Sequence, residues 1–282
     1  MNIDLFLRSI RKKGEELKPY LETALRAAYR AGDYLLTVNS EQKQDFKIDT
    51  KAKNDYVTEV DRISEKIVIE TIHDSYPEHS ILAEESGKSQ QDSDYRWIID
   101  PLDGTTNFIN GYPIWSVSIA MEHKGEVITG VVYAPIYSDF FYAVKGGGAY
   151  MNGEQIEISR NTDFSQALLL TGFPFKAQKY IDVYQIAFKE LLSRCSGMRR
   201  AGSAAIDLSW LAAGRADGFW ELSLSPWDVA AGALIIREAG GVVSDIFGDP
   251  DNFMRTGHII AGNEQIHREI LKTTKLILKD LK

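Results

Sequence analysis

A single cysteine, Cys195, occurs among the 282 residues of the chain. One thiol can form neither an internal disulfide nor a cysteine-based zinc cluster, so both devices are excluded. So little cysteine is typical of proteins from a reducing compartment, and we expect this one in the cytoplasm.

Long hydrophobic runs are also missing. The longest apolar stretch, Val229–Ile236, is far shorter than the ~20 residues that a membrane-spanning helix needs. The first residues, Met1–Lys18, carry charged side chains throughout and contain no secretory-signal core. We therefore expect no membrane span and no export signal.

An excess of basic residues is absent too: 40 acidic side chains face 32 basic ones, for a net charge of −8. That sign is wrong for a protein that holds phosphate backbones by bulk electrostatics, and the local pair Arg199-Arg200 is too small to reverse it. We expect no direct binding of nucleic acid.

The order of hydrophobic patterns predicts an α+β protein. Apolar residues recur at helical spacing from Leu17 to Leu35 and again over Thr58–His73, so the first third is largely helical. Short apolar runs between turn residues then predict an antiparallel sheet. Beyond Asn161, strand-like and helical segments alternate, which is typical of an α/β layer.

No stretch is rich enough in Pro, Ser or Gly to be a free linker. We therefore expect two tightly packed units. Residues 1–160 hold the N-terminal helices and the antiparallel sheet, and residues 161–282 form an α/β unit.

Acidic residues follow two of the predicted strands. A buried-strand run, Trp97–Ile99, stops at Asp100, and Asp103 follows three positions later beyond a proline. Glu84 comes directly after a second strand, Ser80–Ala83. Carboxylates held together repel unless a cation intervenes, and Mg²⁺ prefers such oxygen ligands. An ordinary polar turn would account equally well for the segment with Asp100 and Asp103 alone.

Three other features are open to two interpretations each. Asp228 follows Ser225-Pro226 in a predicted first helical turn, where the helix dipole favours an acid without any metal. Asp61 completes a capping box that starts at Thr58. The segment Gly104–Thr106 before a possible short helix could present backbone N–H groups to an anion.

Taken together, these features resemble the inositol monophosphatase family of metal-dependent phosphatases, within the fructose-bisphosphatase-like fold. Two long motifs carry the resemblance: Trp97–Phe108, and Trp227–Gly232 running into Glu238–Gly241. The likeness covers roughly Leu17–Gly262 and is that of a bacterial-type inositol-1-monophosphatase. It implies a layered αβαβα sandwich, which is usually assembled as a homodimer.

The resemblance also implies a role for individual residues. The implied metal ligands are Glu84, Asp100, the carbonyl of Leu102, Asp103 and Asp228. The implied catalytic residues are Asp61 and Thr105, which position the attacking water, with Glu84. The implied substrate contacts are Asp103, Gly104, Thr105, Gly202, Ser203, Ala204, Glu221 and Asp228.

The activity implied is hydrolysis of an inositol phosphate by a metal-activated water, with two or three Mg²⁺ ions, Mn²⁺ as a substitute, and Li⁺ and Ca²⁺ as inhibitors. Relatives in the wider family act instead on 3′-phosphoadenosine nucleotides, fructose 1,6-bisphosphate, NADP or histidinol phosphate. Some bacterial relatives are binding partners in transcription complexes, which is an alternative of another class.

Overall fold

The computed structural model describes residues 3–40, 48–52, 55–89, 91–174 and 177–278. Nine α-helices and fifteen strands lie within these ranges. The helices are α1 (Ile3–Ser9), α2 (Lys18–Ser40), α3 (Glu59–His73), α4 (Thr105–Ile109), α5 (Ile181–Leu192), α6 (Ala204–Ala212), α7 (Pro226–Glu238), α8 (Phe253–Thr256) and α9 (Glu264–Ile277). The strands are β1 (Ile48–Ala52), β2 (Asp55–Thr58), β3 (Ser80–Ala83), β4 (Gly87–Lys88), β5 (Tyr95–Asp103), β6 (Ser116–His123), β7 (Glu126–Ala134), β8 (Asp139–Val144), β9 (Gly148–Met151), β10 (Glu154–Gln155), β11 (Leu168–Thr171), β12 (Gly197–Arg199), β13 (Gly218–Glu221), β14 (Val242–Ser244) and β15 (Ile259–Gly262).

Two large sheets and three helical layers alternate. The first sheet has the strand order β10-β9-β8-β7-β6-β5-β3-β4 and the second β12-β11-β13-β15-β14, beside a small β1-β2 ribbon. Helices α2 and α3 cover the outer face of the eight-stranded sheet, and α6 and α7 lie between the two sheets. Helices α5 and α9 cover the outer face of the five-stranded sheet. The predicted α+β class and the αβαβα layering are confirmed.

Helix α7 occupies the centre of the molecule. Its residues Val229–Ile236 are all buried, because one side of the helix meets the eight-stranded sheet and the other side meets β14 and β15. A helix that is apolar all round belongs in such an interior. The approach to the sheet is close at Gly130 of β7, where an added Cβ would lie 3.0 Å from the backbone of Ala231.

The first sheet is mixed, which corrects the antiparallel sheet expected from the sequence. Strand β3 pairs with β5 in parallel, with Ala83 opposite Ile99. The chain turns back after β3 through the hairpin strand β4 and then enters β5 in the same direction as β3. Both strands therefore end at one edge of the sheet, which brings Glu84 close to Asp100.

The apolar interior forms three clusters of buried side chains. The middle one contains residues from both sheets as well as α6 and α7, such as Phe141 of the first sheet and Phe219 of the second. The division into units 1–160 and 161–282 stays a prediction. Among the described residues, no helix combines the length and apolarity that crossing a membrane requires.

Candidate metal and phosphate site

Three carboxylates, which we call the acidic corner, meet where the first sheet faces the N-terminus of α7: Asp100, Asp103 and Asp228. One oxygen from each lies within 4.8 Å of the others. Asp100 and Asp103 are buried, with 1% and 8% of their surface exposed. The sequence placed all three in one site, and the fold brings them together.

A bulge in β5 creates this geometry. The sequence predicted that the strand stops at Asp100, but β5 runs on to Asp103, with a register irregularity between these two residues. Pro101 lies inside the irregularity, where a missing N–H does not interrupt the ladder. Ser64 of α3 fixes the bulge by donating a hydrogen bond of 2.8 Å to the Pro101 carbonyl.

Each carboxylate of the corner is oriented by neighbouring donors. The backbone N–H of Leu102 donates to Asp100 Oδ1 at 3.0 Å. The Ser203 hydroxyl and the Ala205 N–H donate to Asp103 Oδ2 at 2.5 and 2.8 Å. These bonds fix the orientation of the two side chains.

Asp228 caps the start of a helix and also lies in the acidic corner. It closes a capping box with Ser225, whose backbone N–H donates to Asp228 Oδ2 at 2.6 Å. Pro226 follows as the first residue of α7, as predicted. The same carboxylate belongs to the acidic corner, so the helix start itself positions it there.

The electrostatics of the corner favour a bound cation. Burial, reinforced by the charges of Glu84, Asp103 and Asp228, raises the pKa of Asp100 well above its usual range. Burial and the Asp228 charge raise the pKa of Asp103 to about 7, although bonds from Ser203 and Ala205 oppose the shift. Clustered buried carboxylates are the oxygen donors that a hard divalent ion requires. The residues therefore fit such an ion.

Glu84 lies beside the corner without belonging to its tightest group. Its backbone N–H donates to the Ile99 carbonyl at 3.2 Å, and its side chain lines the same cavity as Asp100. The turn that follows is fixed from α3, where the Glu65 carboxylate accepts hydrogen bonds from the N–H groups of Glu85 and Ser86. Sequence reasoning missed Ser64 and Glu65, because both look like ordinary polar positions of an amphipathic helix.

Asp61 and Thr105 meet at the side of the corner. The Thr105 hydroxyl lies 3.0 Å from Asp61 Oδ1 and 3.1 Å from the Leu102 carbonyl oxygen. Asp61 lies in the first turn of α3 and is 1% exposed, so only Thr105 of the two lines the cavity. The side chain of Thr58, the predicted partner in the capping box, lies outside the described residues.

Gly104 connects β5 to the short helix α4. Its φ of 95° lies in the left-handed region, and an added Cβ would lie 2.9 Å from the Ile114 carbonyl oxygen. Any other residue would therefore be strained and crowded there. Gly104 and Thr105 both line the cavity, at the position where the sequence predicted contacts with phosphate.

A further part of the cavity wall is formed by the turn at Gly202 and by Glu221 at the end of β13. Ser203 begins α6 as its N-cap, with its hydroxyl accepting from the Ile206 N–H. The Glu221 carboxyl lies against Gly172, where an added Cβ would overlap it. Burial and the neighbouring charges of Asp207 and Asp228 raise the pKa of Glu221 well above its usual range, against the lowering effect of Arg200.

The cavity between these walls has a volume of about 420 Å³. Except for Asp61, every predicted site residue lines it. Asp207 and Arg200 also line it, and sequence reasoning assigned neither to a site. The available signal was the presence of one acid, Asp207, within an otherwise apolar helical run.

Comparison with known proteins gives a consistent result. Residues 16–279 match the model of the Inositol monophosphatase family. The Nus factor SuhB of Escherichia coli is 46% identical over 265 residues, which is 94% of this chain and 98% of that protein.

Two solved structures have the same fold. The extragenic suppressor protein suhB from Bartonella henselae superposes with a TM-score of 0.88 at 39% identity, over 91% of this chain and 98% of that one. An inositol monophosphatase from Anabaena superposes with a TM-score of 0.82 at 38% identity, over 93% of this chain and 97% of that one.

Proposed function

The chain belongs to the inositol monophosphatase family, and on that premise we propose that it is a Mg²⁺-dependent phosphatase that hydrolyses an inositol monophosphate. The observation that carries this proposal is the acidic corner, where three carboxylate oxygens lie within 4.8 Å of one another on the wall of a cavity. Two or three ions are expected there, held by Asp100, Asp103 and Asp228 with Glu84 and the Leu102 carbonyl.

Bound Mg²⁺ would offset the charge of the phosphate and lower the pKa of a water molecule. The chain itself orients that water. Because the Thr105 hydroxyl can donate to Asp61, its oxygen is left to accept a hydrogen bond from the water. The water oxygen then bonds to phosphorus, the ester P–O bond breaks, and one proton of the water ends on the leaving alcohol, which yields inorganic phosphate without a covalent enzyme intermediate.

The cavity lining supports a polyol as the leaving group. Glu221 places an acid there, and a carboxylate accepts hydrogen bonds from hydroxyl groups but repels a second phosphate. This favours an inositol phosphate over 3′-phosphoadenosine nucleotides, fructose 1,6-bisphosphate or NADP. Histidinol phosphate is disfavoured for a different reason, because it has no polyol part.

A panel of phosphate esters assayed with Mg²⁺ tests the proposal. We expect turnover of inositol 1-phosphate that excess chelator abolishes, that Mn²⁺ supports, and that Li⁺ and Ca²⁺ inhibit. Full turnover in excess chelator would contradict the metal site. A wild-type preference for a nucleotide 3′-phosphate would contradict the substrate.

Glu221→Gln tests the polyol contact directly. The change keeps the shape of the side chain but weakens it as an acceptor, and charge-assisted bonds contribute ~1.5–3 kcal/mol. We expect kcat/KM for inositol 1-phosphate to fall ~10- to 100-fold, with a smaller loss for glycerol 2-phosphate. An equal loss on both esters would show that Glu221 does not contact the polyol.

A second candidate function is that of a partner in a transcription complex. The relative from E. coli is named a Nus factor, and it matches nearly the whole chain. The net charge of −8 favours protein contacts over a direct grip on RNA. Capture of RNA polymerase by a catalytically inactive Asp100→Asn variant would support this role, and absence of capture by wild type and variant alike would exclude it.

We further propose that the protein is a cytoplasmic homodimer, as its family resemblance implies. Light scattering coupled to size-exclusion chromatography checks the assembly. A mass of one chain at micromolar concentration would contradict it.

A further inference from the structure

Asp207 is a buried acid that the chemistry above does not use. It lies in α6 with 1% of its surface exposed, and its Oδ1 has no hydrogen-bond partner within the described residues. Leaving a buried oxygen of this kind unsatisfied destabilises the folded state. Such a group in a folded protein needs an explanation.

The helix start does not explain Asp207. An acid in the first turn of α6 is stabilised by the helix dipole, but this effect is smaller than the cost of its unsatisfied oxygen. Ser203 already caps this helix, so a second cap is not needed. Burial and the charge of Asp103 raise the pKa of Asp207 well above its usual range, and Arg200 only partly opposes this. On balance the fold alone disfavours an acid at this position.

The cavity gives a better reason. Asp207 forms part of the same wall as Glu221, and it is the neighbouring charge with the largest effect on that carboxyl. Arg200 also lines the cavity, with its guanidinium 5.5 Å from the centre of the exposed Phe173 ring. The carboxyl groups of Asp207 and Glu221 can each accept a hydrogen bond from a hydroxyl group in either protonation state.

We propose that Asp207 is a specificity-determining residue, which together with Glu221 hydrogen-bonds neighbouring hydroxyl groups on the alcohol part of the substrate. The inference rests on the proposed function and adds a second acceptor to it. One carboxylate can recognise one hydroxyl or a hydroxyl pair in several orientations. Two carboxylates on one wall restrict the ring to an orientation in which separate hydroxyls meet each of them.

Two esters of the same ring size test this inference, inositol 1-phosphate and cyclohexyl phosphate, which has no hydroxyl groups. For Asp207→Asn and Asp207→Ala we expect kcat/KM for the inositol ester to fall ~10- to 100-fold, because a charge-assisted bond is weakened or lost. We expect kcat/KM for the cyclohexyl ester to stay within ~3-fold of wild type. Both esters are assayed on one preparation, so the ratio of kcat/KM for the inositol ester to kcat/KM for the cyclohexyl ester does not depend on the folded fraction.

Ser209→Ala is the matched control, since Ser209 is equally buried on α6 and bonds only the Ala205 carbonyl of its own helix. The ratio should stay at its wild-type value in this variant. Equal losses on both esters in the Asp207 variants, or no loss in Asp207→Ala, would overturn the inference and leave the phosphatase intact. A wild-type protein that hydrolyses neither ester with Mg²⁺ would overturn the proposed function, and the inference with it.

Discussion

The ionised form of Asp100 destabilises the folded protein when no cation is bound beside it. Its raised pKa means that the folded state loses stability as pH rises through that pKa, relative to the unfolded chain. Asp100→Asn removes this cost, and its amide oxygen can still accept from the Leu102 N–H. In chelator at pH 8 we expect the free energy of unfolding to rise by ~1–2 kcal/mol and Tm by roughly 2–6 °C. Activity with Mg²⁺ should fall at least ~10²-fold.

Thermal melts with chelator and with Mg²⁺ measure both sides of this prediction. Asp92→Asn, at an exposed position, is the control and should change neither Tm nor activity. A lower Tm for Asp100→Asn in chelator would mean that the corner is not under electrostatic strain.

Asp61 has a different role, because it contacts the cavity only through Thr105. Asp61→Asn keeps an acceptor for the Thr105 hydroxyl but loses the charge that draws a proton from it. We expect kcat to fall ~10²-fold or more, with little change in KM or Tm. If Tm falls and kcat does not, Asp61 serves only the start of α3.

Thr105 gives the matched pair for that experiment. Thr105→Ser keeps the hydroxyl between Asp61 and the Leu102 carbonyl, whereas Thr105→Val keeps the shape and removes it. The serine variant should retain most of its turnover, and the valine variant should resemble Asp61→Asn.

Among the elements, the sequence predicted best those that are specified by local chemistry. The cap at Ser225 and the first-turn Pro226 predicted where α7 begins, and the apolar run that follows lies within the helix. Helix α3 ends at His73 as predicted, because its apolar spacing ends there. In both cases the signal lies within a few neighbouring residues.

Features that depend on distant partners were not predicted. The continuation of β5 past Asp100 depends on pairing with Ser116 of β6, and the parallel pairing of β3 depends on the path through β4. Strands β12 and β14 have three residues each, too few for a periodic signal. For the site, the motifs predicted most of the residues that line the cavity, but the position of the buried acid Asp207 depends on how α6 meets the cavity.

The contact between β7 and α7 gives a test of how the elements pack. Gly130 has no positive φ, so Gly130→Ala acts only by steric contact with Ala231, three residues beyond Asp228. We expect a loss of ~1–3 kcal/mol in the free energy of unfolding and a higher Mg²⁺ concentration for half-maximal activity, because α7 is displaced. Denaturant titration and metal titration measure these effects.

Gly197→Ala is the control for a glycine in a strand with room for a methyl group, since the nearest described atom would be 3.4 Å away, on the side chain of Arg199. Gly197→Ala should change little in either the free energy of unfolding or the Mg²⁺ concentration for half-maximal activity. Equal effects of the two substitutions would argue against the displacement of α7.

For the whole molecule, His267 links acid stability to the packing of α9 on the second sheet. Its Nε2 lies 2.8 Å from the Ser244 hydroxyl of β14, and burial lowers its pKa to about 4. The unfolded chain binds a proton near pH 6.5 and the folded chain does not, so stability is lost as pH falls from 6.5 towards 4. After allowance for solvent screening, the contribution is roughly 1–2 kcal/mol at pH 4.5.

Denaturant titration of wild type and His267→Gln at pH 7.5 and 4.5 measures this contribution. Glutamine can still bond Ser244 but does not titrate. Between the two pH values the variant should therefore lose less stability than wild type, by the contribution of His267. The carboxylates titrate equally in both proteins and cancel in the difference. Equal losses would show that His267 is already protonated in the folded state.

The position of Asp228 on α7 also bears on how activity returns after denaturation. Its neighbours in the site come from distant parts of the chain: Asp100 from the first sheet and Glu221 from the second. Isolated helices form within about a microsecond, whereas pairing of distant strands is slow. During refolding, the helical signal in circular dichroism therefore returns before turnover does. Regained activity reports the docking of both sheets onto α7.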